Sequence, residues 1–169
     1  MKKHINILTD EDHMSLEQSF DSTESNKDLP QKAEPYIPHS GLMCVVDHLI
    51  EVGEESAATI AMVVQDSPFA GQDETVDETI FIEMVGQTIA AGNGFKMSEE
   101  ERKNQQGFLI GIKNFRIQRP PLVGENLLIK VSKSVEFAGF IIIEGSVQCG
   151  SEVLANGEIR VFQKIVEES

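Results

Sequence analysis

The chain has 169 residues, of which 40% are hydrophobic, and a formal net charge of −14 at pH 7. This length suits one domain with a substantial core. The acidic balance argues against nucleic acid as a partner, because nucleic-acid binding needs clustered positive charge. No run approaches the ~20 consecutive apolar residues that a membrane-spanning helix needs.

The N-terminus and the cysteines indicate a cytoplasmic protein. The sequence MKKHINILTDED at the start has too short an apolar stretch for a secretory signal peptide. Cys44 and Cys149 have the spacing of neither a disulfide framework nor a metal site. We therefore expect two buried free thiols in a reducing compartment, and neither a metal nor a redox cofactor.

The chain divides into a short polar segment and one domain. Residues 1–33 are rich in polar and charged residues and have little apolar periodicity, so we expect a mobile polar tail. Residues 34–169 form the single expected domain. Within it, residues 42–52 predict a turn or short helix that becomes a strand, residues 56–64 predict a second strand, and residues 66–74 predict a loop.

The segment TIFIEMVGQTIAAGNG, residues 79–94, predicts a helix that is apolar almost all round, as in a helix buried in a core. Capping residues place its start at 75–79, and the glycines at 92–94 predict its end. Glu83 lies in the middle, and a buried carboxylate is costly unless it is paired or its pKa rises. Gln87 lies one turn further on the same face and can support it.

A charged connector follows the helix, and then four segments with strand character. Two strands, one long helix and four more strands exclude a doubly wound α/β fold. We expect an α+β fold, in which a curved antiparallel sheet of about five to six strands wraps around one long central helix. An edge of such a sheet can continue into a partner chain in a dimer. The four segments are residues 107–118, 126–137, 139–148 and 153–163.

Five short motifs together carry a family resemblance over residues 35–163. In this order and spacing the chain resembles hot-dog-fold 3-hydroxyacyl-ACP dehydratases (ACP, acyl carrier protein), in particular the small dehydratase-like proteins of aryl-polyene-type biosynthetic systems. The resemblance implies dehydration of a 3-hydroxyacyl thioester to the 2-enoyl thioester, in fatty-acid or polyene-type lipid biosynthesis. It also implies an ACP or coenzyme A carrier, and a homodimer or a heterodimer with another hot-dog chain. The motifs are IPH at 37–39, LMCVVDH at 42–48, IEMVGQTIAA at 82–91, GFLIG at 107–111 and RPPLVGE at 119–125.

The chain departs from the best-known dehydratases of this fold at one position. Those enzymes carry a catalytic His in the loop before the helix, and residues 66–74 contain no His. Glu83 and Gln87 match the Glu and Gln of the family. The aryl-polyene-type relatives keep a Pro-His before the first strand, which makes His39 the candidate partner of Glu83, with Gln87 in support. In this fold the second group often comes from the neighbouring subunit, so His39 and Glu83 can meet across a dimer interface.

The reaction defines what the site must contain. A base removes a proton from C2, and an acid protonates the departing C3 hydroxyl. His39 suits the first role near neutral pH, and Glu83 with a raised pKa suits the second. The backbone N–H groups of Glu78, Thr79 and Ile80, at the helix start, are expected to stabilise the charge that develops on the thioester carbonyl. Apolar residues around the helix would line a slot for the acyl chain.

Two alternatives remain open at this stage, because fold alone does not fix function. A non-catalytic hot-dog subunit could bind acyl chains or pair with an active dehydratase. The absence of the loop His would be the feature that indicates such a subunit. An acyl thioesterase could use Glu83 to activate water. The match at residues 82–91 and the presence of both His39 and Glu83 favour the dehydratase.

An acidic carrier protein would need a local basic patch. The candidates for that patch are Lys113, Arg116, Arg119, Lys130 and Lys133.

Overall fold

A computed structural model describes residues 29–71 and 75–165 of the chain. Seven strands form one antiparallel sheet in the order β1-β2-β3-β5-β6-β7-β4. A long helix, α1 (Ile80–Phe95), and a short one, α2 (Glu99–Asn104), join β3 to β4. The strands are β1 (Gln31–Lys32), β2 (His48–Val52), β3 (Ser56–Met62), β4 (Gln105–Ile117), β5 (Asn126–Phe137), β6 (Phe140–Cys149) and β7 (Glu152–Ile165).

This architecture confirms the expected α+β fold, with one strand more than predicted. The additional strand, β1, is only two residues long and pairs with β2. Ala33, which follows it, is fully buried in the core. The fold therefore begins before residue 34, where the sequence predicted the start of the domain. The rest of the expected polar tail, residues 1–28, lies outside the described residues.

The start of α1 differs from the prediction. Thr75 does not cap the helix, because it forms an isolated β-bridge with Leu122. The helix begins at Ile80 instead, and Asp77 organises the turn before it. One carboxylate oxygen of Asp77 accepts the N–H of Thr79 at 2.8 Å and its hydroxyl at 2.6 Å. These bonds lower the pKa of Asp77.

The end of α1 also differs, because the two glycines expected to stop the helix serve close packing. A Cβ on Gly92 would lie 2.5 Å from the Cβ of Ala57, on β3. A Cβ on Gly94 would lie 2.2 Å from the carbonyl oxygen of Tyr36. Both distances are too short for any side chain, so Gly is needed at these two positions for packing. The helix does not stop at them but continues to Phe95. The glycines bring the C-terminal half of α1 against the sheet and against the segment before His39.

The core lies between α1 and the inner face of the sheet. Removing large apolar side chains from water is the main force holding these layers together, at roughly 25 cal/mol per Å². The largest fully buried apolar side chains are Leu49, Ile80, Phe81, Met84, Leu127, Ile129, Ile143, Leu154 and Ile159.

Among residues 29–71 and 75–165, no helix combines the length and the apolar character needed to cross a membrane.

One buried amide joins α1 to the chain that follows His39. Gln87 is only 1% exposed. Its Oε1 accepts the backbone N–H of Val45 at 2.9 Å, and its Nε2 donates to the carbonyl of Met43 at 2.7 Å. The same Nε2 donates to Glu83 Oε1 at 2.8 Å. Exchanging the amide nitrogen and oxygen would place the NH2 group against the Val45 N–H and the amide oxygen against the Met43 carbonyl. These contacts therefore fix the orientation of the side chain.

Replacing Gln87 by Leu should therefore destabilise the fold by about 2–4 kcal/mol, because the Val45 N–H and the Met43 carbonyl would lose their partner. Urea unfolding measures this loss. The control is Gln65→Leu, since Gln65 is exposed and makes one bond, to the Gly71 carbonyl. Equal unfolding midpoints for wild type and Gln87→Leu would show that the amide does not hold these segments together.

An ion-pair cluster joins the end of β4 to the starts of β5 and β7. Arg119 binds Glu125 through two nitrogens, at 2.8 and 3.0 Å, and Glu152 at 2.8 Å. Glu125 also accepts the N–H of Leu122 at 2.8 Å. The Arg119 guanidinium is the main cause of a lowered pKa at both Glu125 and Glu152. This geometry holds the loop between β4 and β5 against the β6–β7 turn.

Arg119→Gln should lower the stability of the protein in a pH-dependent way. A carboxylate whose pKa is lowered on folding adds stability above its unfolded pKa of about 4.3, and this is lost as pH falls through the folded pKa. The difference between wild type and variant should thus be largest near pH 7, begin to shrink as pH falls towards about 4.3, and vanish only below the lowered pKa values of the two folded-state carboxyls. Urea midpoints across this range measure it. The control is Arg160→Gln, since the one ion pair of Arg160 among the described residues is with Glu158, at 3.3 Å. A difference that does not depend on pH would contradict this account.

Candidate active site

His39 and Glu83 meet within one chain. His39 lies in the segment between two short 3-10 turns, Glu34–Tyr36 and Gly41–Met43. Its Nε2 is 3.5 Å from Oε1 of Glu83 on α1. The side chains are 40% and 31% exposed, respectively. The sequence left open a meeting of these groups across a dimer interface, and the structure brings them together without a second subunit.

Glu83 is less buried than the sequence predicted. The pattern of α1 indicated a carboxylate inside an apolar core, but about a third of the side chain is exposed. Only part of the helix surface packs against the sheet. Another face, which contains Ile82, Glu83, Gly86 and Ala90, borders an open cleft. The carboxylate therefore stays beside solvent that a ligand can displace.

Gln87 holds Glu83 in place, as the one-turn spacing predicted. Because its Nε2 donates to Glu83 Oε1, that oxygen is an acceptor. A proton on the Glu83 carboxyl would then sit on Oε2. The two other bonds of Gln87 go to Met43 and Val45, only a few residues beyond His39. One buried side chain thus sets both the orientation of Glu83 and the approach of the segment that carries His39.

The second ring nitrogen of His39 is buried. No described residue forms a hydrogen bond with Nδ1. If Nε2 acts as a base, Nδ1 must carry the proton in the neutral ring. No contact within the described part of the chain fixes that tautomer.

The cleft beside this pair has a volume of about 930 Å³ and lies between α1 and strands β4 and β7. Its walls are mainly apolar near the pair, and charged side chains of α2 border it elsewhere. The sequence predicted a slot for an acyl chain around this helix, and this cleft is the candidate for it. Its apolar lining includes Ile37, Ile82, Ile89, Ala90, Leu109, Ile159 and Val161.

The structure does not place the helix start with the pair. The Thr79 N–H donates to the side chain of Asp77 at 2.8 Å, and the Ile80 N–H donates to the Asp77 carbonyl at 3.1 Å. Neither these residues nor Glu78 are among those that line the cleft. Two of the three expected carbonyl-binding N–H groups are thus already hydrogen-bonded in the free protein.

The expected basic patch is partly neutralised. Arg119 is paired with two carboxylates, and Lys133 lies 2.6 Å from Glu55 and 2.5 Å from Glu136. The cations that line the cleft are instead Arg102 and Lys103 on α2. Sequence reasoning missed both because it treated this segment as a connector.

Arg102 and Lys103 have different surroundings. Arg102 donates to the carbonyls of Gly94 and Met97 and stacks over the ring of Tyr36. Lys103 pairs with Glu99 at 2.7 Å in full contact with solvent. Arg102 is thus held by the fold, whereas the exposed Lys103 pair contributes little to stability and can exchange partners.

Cys44 is close in sequence to this site but is not suited to attack a substrate. Its thiol donates to the carbonyl of Val46 at 3.2 Å. Burial is the main cause of a raised pKa at Cys44. The reactive form of cysteine is the thiolate, which a raised pKa disfavours. Cys44 and Cys149 are both free and half-buried.

Comparisons with known proteins identify the family of this chain. The family model described as ApeP-like, ApeP dehydratase, matches residues 31–168. The chain is 23% identical over 128 residues to the 3-hydroxyacyl-[acyl-carrier-protein] dehydratase FabZ of Streptococcus sanguinis, which covers 73% of this chain and 89% of the relative.

Two solved structures have similar folds. The dehydratase heterocomplex ApeI:P from Xenorhabdus doucetiae matches with 29% identity and a TM-score of 0.69, over 80% of this chain and 91% of that one. A hypothetical thioesterase from Streptococcus pneumoniae, solved with coenzyme A, has a TM-score of 0.55 at 6% identity, over 71% of this chain and 87% of that one. The fold is thus the hot-dog fold, and the chain belongs to the ApeP-like dehydratase family.

Proposed function

We propose that this protein is a 3-hydroxyacyl-thioester dehydratase in which His39 and Glu83 of one chain eliminate water. The observation that carries the proposal is the 3.5 Å separation of His39 Nε2 and Glu83 Oε1 at the edge of an acyl-sized cleft. C2 and C3 of the substrate are bonded neighbours, so a base at one and an acid at the other must lie close together. A separation above about 7 Å would have prevented both groups from reaching the substrate.

The elimination follows from these positions. The lone pair on His39 Nε2 takes the proton from C2, and the electrons of that C–H bond form the C2=C3 double bond. The C3–O bond breaks as the Glu83 carboxyl gives its proton to the departing hydroxyl, which leaves as water. The products are the 2-enoyl thioester, protonated His39 and ionised Glu83. Return of the proton from His39 Nε2 to Oε2 of Glu83, by exchange with solvent in the open cleft, restores the starting state.

Charge on the thioester carbonyl needs its own donors during this step. The N–H groups of Glu78, Thr79 and Ile80 remain our proposal for this role, because they lie at the start of α1 and just before it, about one turn before Glu83. The positive end of the helix dipole also favours negative charge there. For Thr79 and Ile80 to contribute, a bound carbonyl must share or replace their bonds to Asp77.

The carrier and pathway are part of the same proposal. The FabZ relative is named as a dehydratase of acyl-carrier-protein substrates, and this supports an ACP or coenzyme A thioester here. We place the reaction in cytoplasmic fatty-acid or polyene-type lipid biosynthesis. Lys103 at the cleft rim is the cation best exposed to contact a carrier phosphate.

A second candidate is a non-catalytic subunit that pairs with an active dehydratase. It is favoured by the absence of His from the sequence of residues 66–74, and by the heterocomplex found for the similar ApeI:P structure. Against it stands the His39–Glu83 contact, which a purely structural subunit does not require. Assays of the purified chain, alone and with a partner, distinguish the two functions.

Glu83→Gln and His39→Ala should each lower turnover of a 3-hydroxyacyl thioester by about 10²–10⁴-fold, the usual contribution of a general acid or base. Formation of the enoyl thioester is followed by absorbance or mass spectrometry, and the reverse hydration is measured in parallel. Glu83→Gln conserves volume and should keep the unfolding midpoint close to that of wild type.

The controls are Glu100→Gln on α2 and His48→Ala on β2, which change the same residue types at positions that do not line the cleft. Both should retain the turnover of wild type. Full activity in Glu83→Gln would remove Glu83 from the mechanism. If His39→Ala changes only the affinity for substrate, then His39 positions the substrate and is not the base.

We also propose that β4 pairs with the corresponding strand of another hot-dog chain. Within the described part of the chain, strand β4 is at the edge of the sheet and has β7 as its one neighbouring strand. An edge strand with a row of apolar side chains favours pairing with another chain. The half-exposed apolar side chains of β4 are Phe108 (48%), Leu109 (52%), Ile110 (51%) and Ile112 (48%).

Ile110→Lys should convert the dimer to a monomer at micromolar concentration, because it places a charge in the middle of the edge strand. Light scattering after size exclusion gives the mass in solution. The control is Val153→Lys, an exposed apolar residue at the start of β7, which should leave the mass unchanged. A wild-type chain that is monomeric alone but pairs with a second hot-dog chain would indicate a heterodimer; a monomer under both conditions would contradict edge pairing.

A further inference from the structure

Gly86 is a glycine that the fold itself does not require. A glycine in a protein is commonly explained by a positive φ angle or by a neighbour that leaves no room for a side chain. Of the described glycines without a positive φ, Gly86 is the one at which an added Cβ would meet nothing within 4 Å. Gly107 and Gly111, on β4, could also accept a Cβ, but against neighbours at ordinary contact distances of 3.7 Å or more. In the middle of a helix, Gly is less favourable than Ala, so its presence here lowers the stability of α1.

The space above Gly86 is the active-site cleft. Gly86 follows Glu83 by three residues, so their Cα–Cβ directions lie on the same side of the helix, about 5–6 Å apart. Its neighbours along the cleft are Ile82, Ile89 and Ala90, all apolar. Across the cleft stand Ile159 and Val161 of β7. A molecule over Gly86 is therefore in contact with hydrocarbon on several sides and is itself expected to be apolar.

We infer that Gly86 is a specificity-determining residue, whose missing side chain makes room for the acyl chain just beyond the reacting carbons. This rests on the proposed function, which places C2 and C3 between His39 and Glu83. Carbons from C5 onward then pass over Gly86 towards Ile89 and Ala90. The ligands selected are thioesters whose acyl chain extends past C4. A side chain at position 86 would block them while leaving room for the shortest substrate.

The test is binding of non-reacting alkyl thioethers of coenzyme A with four-carbon and ten-carbon chains, measured by calorimetry. Gly86→Leu should bind the ten-carbon probe at least about tenfold more weakly than wild type, because the added side chain fills the space of the chain. Its affinity for the four-carbon probe should change by less than about threefold. Asn93→Leu, on α1 but outside the cleft, is the control. It should keep the wild-type ratio of the affinities for the ten-carbon and four-carbon probes.

Gly86→Ala provides a variant that must fold. It should raise the melting temperature by about 1–4 °C, because Ala favours the helix and the added Cβ touches nothing. It should also lower the affinity for the ten-carbon probe by about two- to threefold, in the same direction as Gly86→Leu. Three results would each overturn the inference. Gly86→Leu could lose the same affinity for both probes, it could lose affinity for neither, or wild type could bind neither probe.

The same experiment separates this inference from the proposed function. If wild type does not turn over 3-hydroxyacyl thioesters but the two affinities diverge in Gly86→Leu, the chain binds acyl groups without dehydrating them. If wild type is active and the ratio of affinities does not change, dehydration stands and Gly86 does not select the chain. In an active enzyme, Gly86→Leu should raise KM for the long substrate more than for the short one.

Discussion

The buried amide of Gln87 is the contact on which the geometry of this site depends. It joins a helix to a loop that is distant in sequence, with hydrogen bonds to Val45, Met43 and Glu83. Two of these partners are main-chain groups that would otherwise be costly to bury. Because the loop that Gln87 holds follows directly after His39, the distance between the two proposed catalytic groups is coupled to the stability of the core. Loss of the amide is therefore expected to affect fold and chemistry together.

Our proposal for a chain without the usual loop His relies on that coupling, because it brings the proposed base, His39, beside the proposed acid, Glu83. The loop before α1 does not need to supply chemistry if the segment before the first long strand does. In this chain His39 lies beside Glu83, and both side chains line the cleft. The helix start keeps its N–H groups engaged with Asp77. We therefore regard carbonyl stabilisation as the step that requires the largest local adjustment on substrate binding.

Much of this could be predicted from the sequence, for identifiable reasons. Alternation and turn residues gave the six long strands, and a one-turn spacing predicted that Gln87 supports Glu83. The prediction was wrong about the end of α1, because glycines that serve close packing look the same in sequence as glycines that stop a helix. The two-residue β1 has no periodicity to detect. The His39–Glu83 contact could be suspected from the family resemblance, but whether it forms within one chain depends on tertiary hydrogen bonds that leave no local pattern.

The most direct test of the central claim is a subunit-complementation assay. His39→Ala and Glu83→Gln chains with different affinity tags are co-expressed, and the mixed dimer is purified through both tags. If each active site takes both groups from the same chain, every site in the mixed dimer lacks one of them, and turnover should stay as low as in the single variants. Substantial recovery of activity in the mixed dimer would show that the groups combine across the interface, and would contradict the single-chain site described here.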